Sequence, residues 1–205
     1  MPTDAELLDA WRDGDRRAGK LLFARYFTAV NRFFRNKVGS ESQDLVQKTF
    51  LACVEGVDRY RGEGSFRSWL FAVAYKQLCK HYRAKAKEQA HLDLQRVSAY
   101  EFDGTPSRML ARKREERLLL EALRRIPVDF QVALELRYWE QMTDVEIAAT
   151  LDLPLGTFKS RIRRARQLVT EQVTFLAASP EELQSTISSL EDWAEQLRDI
   201  TTADS

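Results

Sequence analysis

The sequence predicts an all-α protein: two small helical domains joined by a flexible linker, the second holding a helix-turn-helix, with a C-terminal amphipathic helix beyond. Three observations carry this. Apolar residues recur at helical spacing over long stretches. The 205 residues include only eight glycines and five prolines. No segment shows the apolar–polar alternation of a half-buried strand.

Taken in order, Thr3 with Glu6 reads as a capping box opening a short helix with Leu7, Leu8 and Trp11 on one side, interrupted at Gly14. From Asp15, the residues Leu22, Phe23, Tyr26, Phe27, Val30, Phe33 and Phe34 recur at helical spacing until Gly39 closes the run. Ser40 with Gln43 reads as the next cap, before a helix carrying Leu45, Val46, Phe50, Leu51 and Val54. A loop, DRYRGEGS, leads to a long helix over Phe66–Lys87, aromatic at its start and basic at its end. This first domain spans residues 1–90. Residues 91–107 are a linker, where periodicity fails and DGTPS marks a turn. The second domain, 108–174, opens with a helix through Leu118, Leu119, Leu120, Leu123 and Ile126 that stops at Pro127, followed by one over roughly Val128–Glu140. Thr143 with Glu146 is a second capping box, for the short helix TDVEIAATL. After the turn DLPLG, Thr157 is expected to cap a final basic helix.

That basic helix concentrates charge of a single sign. GTFKSRIRRAR, Gly156 to Arg166, has five cations and no acid, although the whole sequence has a net charge of only +1. Phe158, Ile162, Ala165 and Val169 form its apolar stripe; Ser160, Arg163, Arg164 and Gln167 face away, flanked by Lys159, Arg161 and Arg166. A merely solvated face mixes signs. A single-signed one suits an anionic partner, and a short helix, a turn and a basic helix is the arrangement that places a helix in the DNA major groove. There arginine reads guanine edges and both cations neutralise phosphates. Ile147 and Leu151 would pack under Phe158 and Ile162, and the small Ala148 and Ala149 would let the helices cross closely.

The longer run ALRRIPVDFQVALELRYWEQMTDVEIAATLDLPLGTFKSRIRRARQLV, Ala122 to Val169, resembles the promoter −35-reading domain of the sigma-70 superfamily in its extracytoplasmic-function (ECF) group. SESQDLVQKTFLAC is similar to that family's core-polymerase-binding helix, and FRSWLFAVAYKQLCKHYR to its −10 segment. The resemblance, over about residues 4–172, implies a factor that directs bacterial RNA polymerase to promoters. It places Asp44, Leu45, Gln47, Lys48, Phe50 and Leu51 against the β′ clamp helices, with Lys48 where the family usually has Glu. For the −35 element it points to Thr157, Lys159, Ser160, Arg161, Arg163 and Arg164, with Arg166 on phosphate. For the −10 element, Arg59, Tyr60, Arg61 and Ser65 suit a pocket for an extruded base. Tyr75 adds an aromatic face, and Lys76, Lys80 and Arg83 add charge along the strand. Phe66 and Trp69 read as core. Lys76 and Lys80 stand where the family often has Asn and Asp. The partners implied are core polymerase, through the β′ clamp helices and β flap, and promoter DNA. An anti-sigma factor is a further candidate.

Residues 175–205 lie beyond that resemblance. Ser179-Pro180-Glu181-Glu182 reads as a helix start, and Leu183, Ile187, Leu190, Ala194 and Leu197 form a narrow seam on a strongly acidic helix. Three roles stay open for it: packing on its own domain, covering the DNA-binding or polymerase-binding surface, or docking another protein. An alternative for the whole chain is a plain helix-turn-helix regulator, and another is a helical interaction module without DNA binding.

An enzyme is not expected: the sequence has no phosphate loop, metal cluster or nucleophile–base pair, and implies no cofactor. Cys53, Cys79, His81 and His91 make no recognisable zinc spacing. The acidic start is unlike a signal peptide and no apolar run approaches the roughly 18 residues of a membrane span. The expected setting is the cytoplasm, at the nucleoid, without membrane insertion.

Overall fold

The computed structural model describes residues 1–60, 62, 64–85, 98–100, 114–180 and 186. Among these every regular element is helical. Helix α1 is Asp4–Arg12 and α2 is Arg16–Val38, followed by a 3₁₀ turn at Gly39–Glu41. Then come α3 (Ser42–Gly56), a second 3₁₀ turn at Val57–Arg59, and α4 (Phe66–Lys85). In the second module α5 is Arg114–Arg125, α6 Val128–Tyr138, α7 Asp144–Thr150 and α8 Leu155–Leu176.

Local chemistry explains most of the boundaries. The α1 capping box forms as expected: the Thr3 N–H donates to Glu6 Oε2 at 2.7 Å and the Glu6 N–H to Thr3 Oγ1 at 3.3 Å. Gly14, at φ 101°, then turns the chain, and Asp15 caps α2 by accepting from the Arg17 N–H. Gly19 has a different reason to be glycine, since a Cβ there would lie 3.0 Å from the Trp11 indole. Gly39, at φ 54°, closes α2. The cap expected from Ser40 and Gln43 does not form. The 3₁₀ turn runs directly into α3, whose N-terminus has no side-chain cap.

Helices α1 to α4 enclose Leu22, Phe33, Phe34, Leu70, Phe71 and Leu78. This core does not stop at the module boundary. It continues into Val128, Val132, Ala133, Leu136, Ile147, Ala148 and Phe158 of the second module. A separate cluster of Leu119, Leu123, Ile126, Trp139, Ala165, Val169 and Val173 joins α5, α6 and α8. The linker expected at 91–107 falls mostly outside the described residues. Within it, Ser98 bridges to Pro127 and Ala99 is fully buried. The amphipathic seam expected at Leu183, Ile187, Leu190, Ala194 and Leu197 also lies outside them.

Candidate nucleic-acid and polymerase interfaces

The helix-turn-helix is built from α7, a tight turn and α8. Thr143 and Glu146 close the second capping box at α7, with the Thr143 N–H donating to Glu146 Oε2 at 2.9 Å. In the turn the Leu153 N–H donates to the Ala148 carbonyl at 2.8 Å. Asp152 adopts φ 54°, a left-handed conformation that Asp tolerates better than most residues. Ile147, Ala148, Leu151 and Phe158 are buried beneath the two helices, but Ala149 faces solvent and takes no part in their crossing. Helix α8 begins three residues earlier than a Thr157 cap would place it. Pro154 occupies the N-cap position, so Thr157 lies inside the first turn rather than capping it.

Thr157, Lys159, Ser160, Arg163, Arg164 and Arg166 are all exposed on α8. Arg164 makes a solvent-facing pair with Glu171 at 3.2 Å, and the Arg166 guanidinium lies 5.4 Å from the Tyr138 ring centre. Arg161 corrects the expectation. It turns inward, is only 9% exposed, and donates to Asp129 Oδ2 at 2.9 Å. It belongs to the packing of α8 on α6. Val145 and Leu155 are exposed apolar residues at the starts of α7 and α8, a position that sequence periodicity had no means of marking.

In the region expected to hold an unpaired base, the described residues contact one another. Tyr60 is nearly buried, stacks on Trp69 with ring centres 5.0 Å apart, and donates through its hydroxyl to the Gly64 carbonyl at 2.8 Å. Gly62 and Gly64, at φ 77° and 82°, give the loop its left-handed turns. Arg12, unmarked by the sequence, places its guanidinium over Tyr60 and donates to that residue's carbonyl. Arg59 is exposed; Arg61 lies outside the described residues. Phe66 is core, as expected, whereas Trp69 is only partly buried. Lys76, Lys80 and Arg83 form an exposed row along α4. Tyr75 instead points to the second module and donates to Asp129 Oδ1 at 2.5 Å. Burial, and then the Asp129 charge, hold its phenol well above the usual value.

On α3, Asp44 and Lys48 are exposed and pair at 2.6 Å, and Gln47 is exposed beside them. Leu51 is 57% exposed and Val54 50%. Phe27 of α2 is also half exposed and stacks on the partly buried Phe50. Leu45 is corrected to core, being only 3% exposed. Val54 and Phe27, expected only as apolar positions of their helices, extend the same exposed apolar surface.

Polar contacts join the modules across their shared core. Lys37, completely buried, pairs with Glu135, and Arg32 pairs with Glu140 at 2.5 Å. Burial drives the Lys37 ammonium below its usual pKa despite Glu135. Burial likewise drives the Glu140 carboxyl up despite Arg32. Arg124 donates to the Asn36 carbonyl at 2.6 Å, Arg67 to the Glu140 carbonyl at 2.9 Å, and Ser65 to Glu146 at 3.0 Å. Among the described residues no group of acidic, His and Cys side chains could hold a metal, and no helix is long and apolar enough to cross a membrane.

Comparison with known proteins gives a consistent picture. The family profile for Sigma-70 region 2 matches residues 22–88, and that for Sigma-70, region 4 matches 116–169. The ECF RNA polymerase sigma-E factor of Haemophilus influenzae is 27% identical over 180 residues, covering 83% of this chain and 95% of the relative. The protein of the same name from Escherichia coli K12 is also 27% identical, over 83% of this chain and 94% of its own. Among solved structures, the sigma factor RpoE in complex with the anti-sigma factor NepR from Bartonella quintana superposes with a TM-score of 0.59. It is 21% identical and covers 76% of this chain and 96% of its own. CnrH, solved with the cytosolic domain of CnrY, gives 0.55 at 22% identity, over 85% of this chain and 99% of its own.

Proposed function

This chain belongs to the sigma-70 family of RNA polymerase sigma factors, in its ECF group, and from that membership we propose a division of labour among its surfaces. Helix α3 docks on core polymerase through Asp44, Gln47, Lys48 and Leu51, with Phe27 and Val54 widening the apolar contact. Helix α8 enters the major groove of the −35 element through Lys159, Ser160, Arg163 and Arg164, while Thr157 and Arg166 hold phosphates. The Arg59–Ser65 loop receives a base of the −10 element, and the row Lys76, Lys80 and Arg83 follows the separated strand. The factor supplies selectivity and strand opening, and polymerase supplies the chemistry.

The observation that carries this reading is the outer face of α8. Six of its seven expected DNA-facing residues are exposed, and no acid interrupts them before Glu171. The remaining proposals follow from the family and from composition. The setting is the cytoplasm at the nucleoid. An anti-sigma factor is a partner, as one is for the Bartonella relative. The acidic extension at 175–205 is regulatory, its charge matched to the cationic faces of the chain.

Transcription in vitro tests the reading: the purified chain with bacterial core polymerase on sheared genomic DNA of the source organism, with 5′ ends sequenced. Discrete starts that depend on the chain and share upstream −35 and −10 elements are expected. Removing residues 178–205 should raise their yield. Unchanged yield with a lowered melting temperature would make the extension a structural helix. No starts from either form, together with no binding to core polymerase, would overturn the assignment of surfaces.

A further inference from the structure

The division of labour above leaves α1 without a task, yet its last residue reaches the −10 region. Arg12 closes the final turn of α1. Its guanidinium lies 5.3 Å from the Tyr60 ring centre and donates to the Tyr60 carbonyl, 48 residues along the chain. Asp9, one turn back, offers a pair at 4.0 Å, but Asp9 is 74% exposed and such a pair is worth little. Helix α1 is anchored by other residues. Leu7 and Leu8 are buried, Trp11 packs edge-on against Phe23 and close over Gly19, and Asp4 bonds to Arg25 and Tyr26. The commitment of Arg12 is to Tyr60.

Tyr60 is only 8% exposed and is stacked on Trp69, so its ring offers no face to an unpaired base. It shapes the backbone around it instead. Its N–H donates to the Val57 carbonyl at 3.2 Å and its hydroxyl to the Gly64 carbonyl at 2.8 Å. Gly62 and Gly64, both at positive φ, have nothing within 4 Å of where a Cβ would stand. Glycine has the most backbone freedom of any residue, so the shape of this turn comes from what grips it. A guanidinium grips twice: its charge lies over the ring and its N–H bonds to the carbonyl of the same residue. Recognition sites must be held to about 0.5 Å, and those built on loops need outside support to reach that.

Resting on the assignment of the −10 surface above, we propose that Arg12 is a positioning residue for promoter reading: by holding Tyr60 at both ring and carbonyl, it fixes the turn that receives the extruded −10 base. Helix α1 thereby becomes part of the −10 reader without touching DNA. Losing Arg12 relaxes discrimination at that one base and leaves the α8 face and polymerase docking as they are.

Arg12→Gln and Arg12→Lys in the full-length chain test this. Gln removes the charge, whereas Lys keeps a cation able to sit over the ring and donate to the carbonyl. In the free chain, hydrogen exchange at the Tyr60 amide should be about tenfold faster in Arg12→Gln and near parental in Arg12→Lys. The core amides of Phe33 and Phe34 should not change in either. With core polymerase, transcription from templates randomised across the −10 region reads the base preference at each position. Arg12→Gln should lower the preference several-fold at one position, keep it at the other −10 positions and at −35, and Arg12→Lys should restore it. Parental exchange at Tyr60 in Arg12→Gln overturns the proposal without any DNA. So does faster exchange that spreads to Phe33 and Phe34, or a uniform fall in output with every base preference intact, since either marks a merely structural role. An Arg12→Lys chain no better than Arg12→Gln overturns it as well. If the parent itself gives no transcript, faster exchange confined to the turn and reversed by Lys still supports the hold of Arg12 on Tyr60; the silence then counts against the proposed function alone.

Discussion

On the outer face of α8, Lys159, Arg163 and Arg164 stand in solvent. At the seam between the modules, Arg32, Lys37 and Arg124 are 7%, 0% and 0% exposed, and each has an acceptor in the opposite module. The residue types are the same and the surroundings opposite. A cation in water keeps its hydration and is available to phosphate. A buried cation has lost that hydration and depends on its partner. Local sequence does not separate the two kinds. Arg161 sits among the exposed arginines of α8 and is nonetheless committed to Asp129.

The sharpest way to break this comparison is to remove one cation from each side. Lys37→Ala should cost about 3–5 kcal/mol of stability, because Glu135 is left as a buried charge with only the Asn36 and Gln131 amides as donors. Lys48→Ala, which breaks the exposed pair with Asp44, should cost about 0–1 kcal/mol. Urea denaturation of both variants measures the difference. Equal midpoints would show that the seam is wet in solution and that its burial is not what distinguishes it.

Within α8 the comparison narrows to neighbours two residues apart. Arg163→Ala should weaken binding to a cognate −35 duplex by about 1–3 kcal/mol if the side chain reads a base. If it holds a phosphate, it should instead reduce the slope of log K against log salt by about 0.9. Its unfolding midpoint should barely move. Arg161→Ala should do the reverse and lower stability by less than Lys37→Ala does, since Asp129 keeps the Tyr75 hydroxyl. Titrating both variants against the same duplex at two salt concentrations separates the roles. A large, salt-dependent loss of affinity from a stably folded Arg161→Ala chain would return that residue to the DNA face.

Much of the fold was legible because helices announce themselves locally. The two capping boxes, Gly14, Gly39 and Pro127 all act where sequence placed them. What escaped was contact between distant segments. Asp129 reads as an ordinary first-turn acid of α6, and only the fold brings it to both Tyr75 and Arg161. Leu45 and Leu51 are both apolar residues of α3, yet one is core and the other exposed, because the helix packs along one face only. The inter-module core could not be read either. The apolar stripe of Val128, Val132 and Leu136 specifies burial without specifying against what. Ser40 failed as a cap for a local reason: the 3₁₀ turn at Gly39–Glu41 already delivers the chain into α3.

The smallest effect concerns Glu146, which serves a helix end and the seam together. Burial pushes its carboxyl upward, but hydrogen bonds from Thr143 and Ser65 and the charge of Arg67 outweigh that and leave it below its ordinary 4.5. Because the folded value is depressed, the stabilisation is fully present above pH 4.5 and is lost as pH falls through the folded value. Glu146→Gln preserves the capping geometry, which accepts Gln, and removes only the charge. At neutral pH it should cost about 0.3–1 kcal/mol, the usual worth of an acid in a first helical turn. The gap between parent and variant should close on acidification below 4.5. Glu6 supplies the control, having the same capping box and a lowered pKa but lying at the exposed start of α1 with no seam contact. Glu6→Gln should therefore leave amide hydrogen exchange around Ser65–Ser68 unchanged at every pH, whereas Glu146→Gln should speed it at neutral pH. Identical behaviour of the two variants would mean that Glu146 acts only as a cap and that its contacts with Ser65 and Arg67 add nothing to the seam.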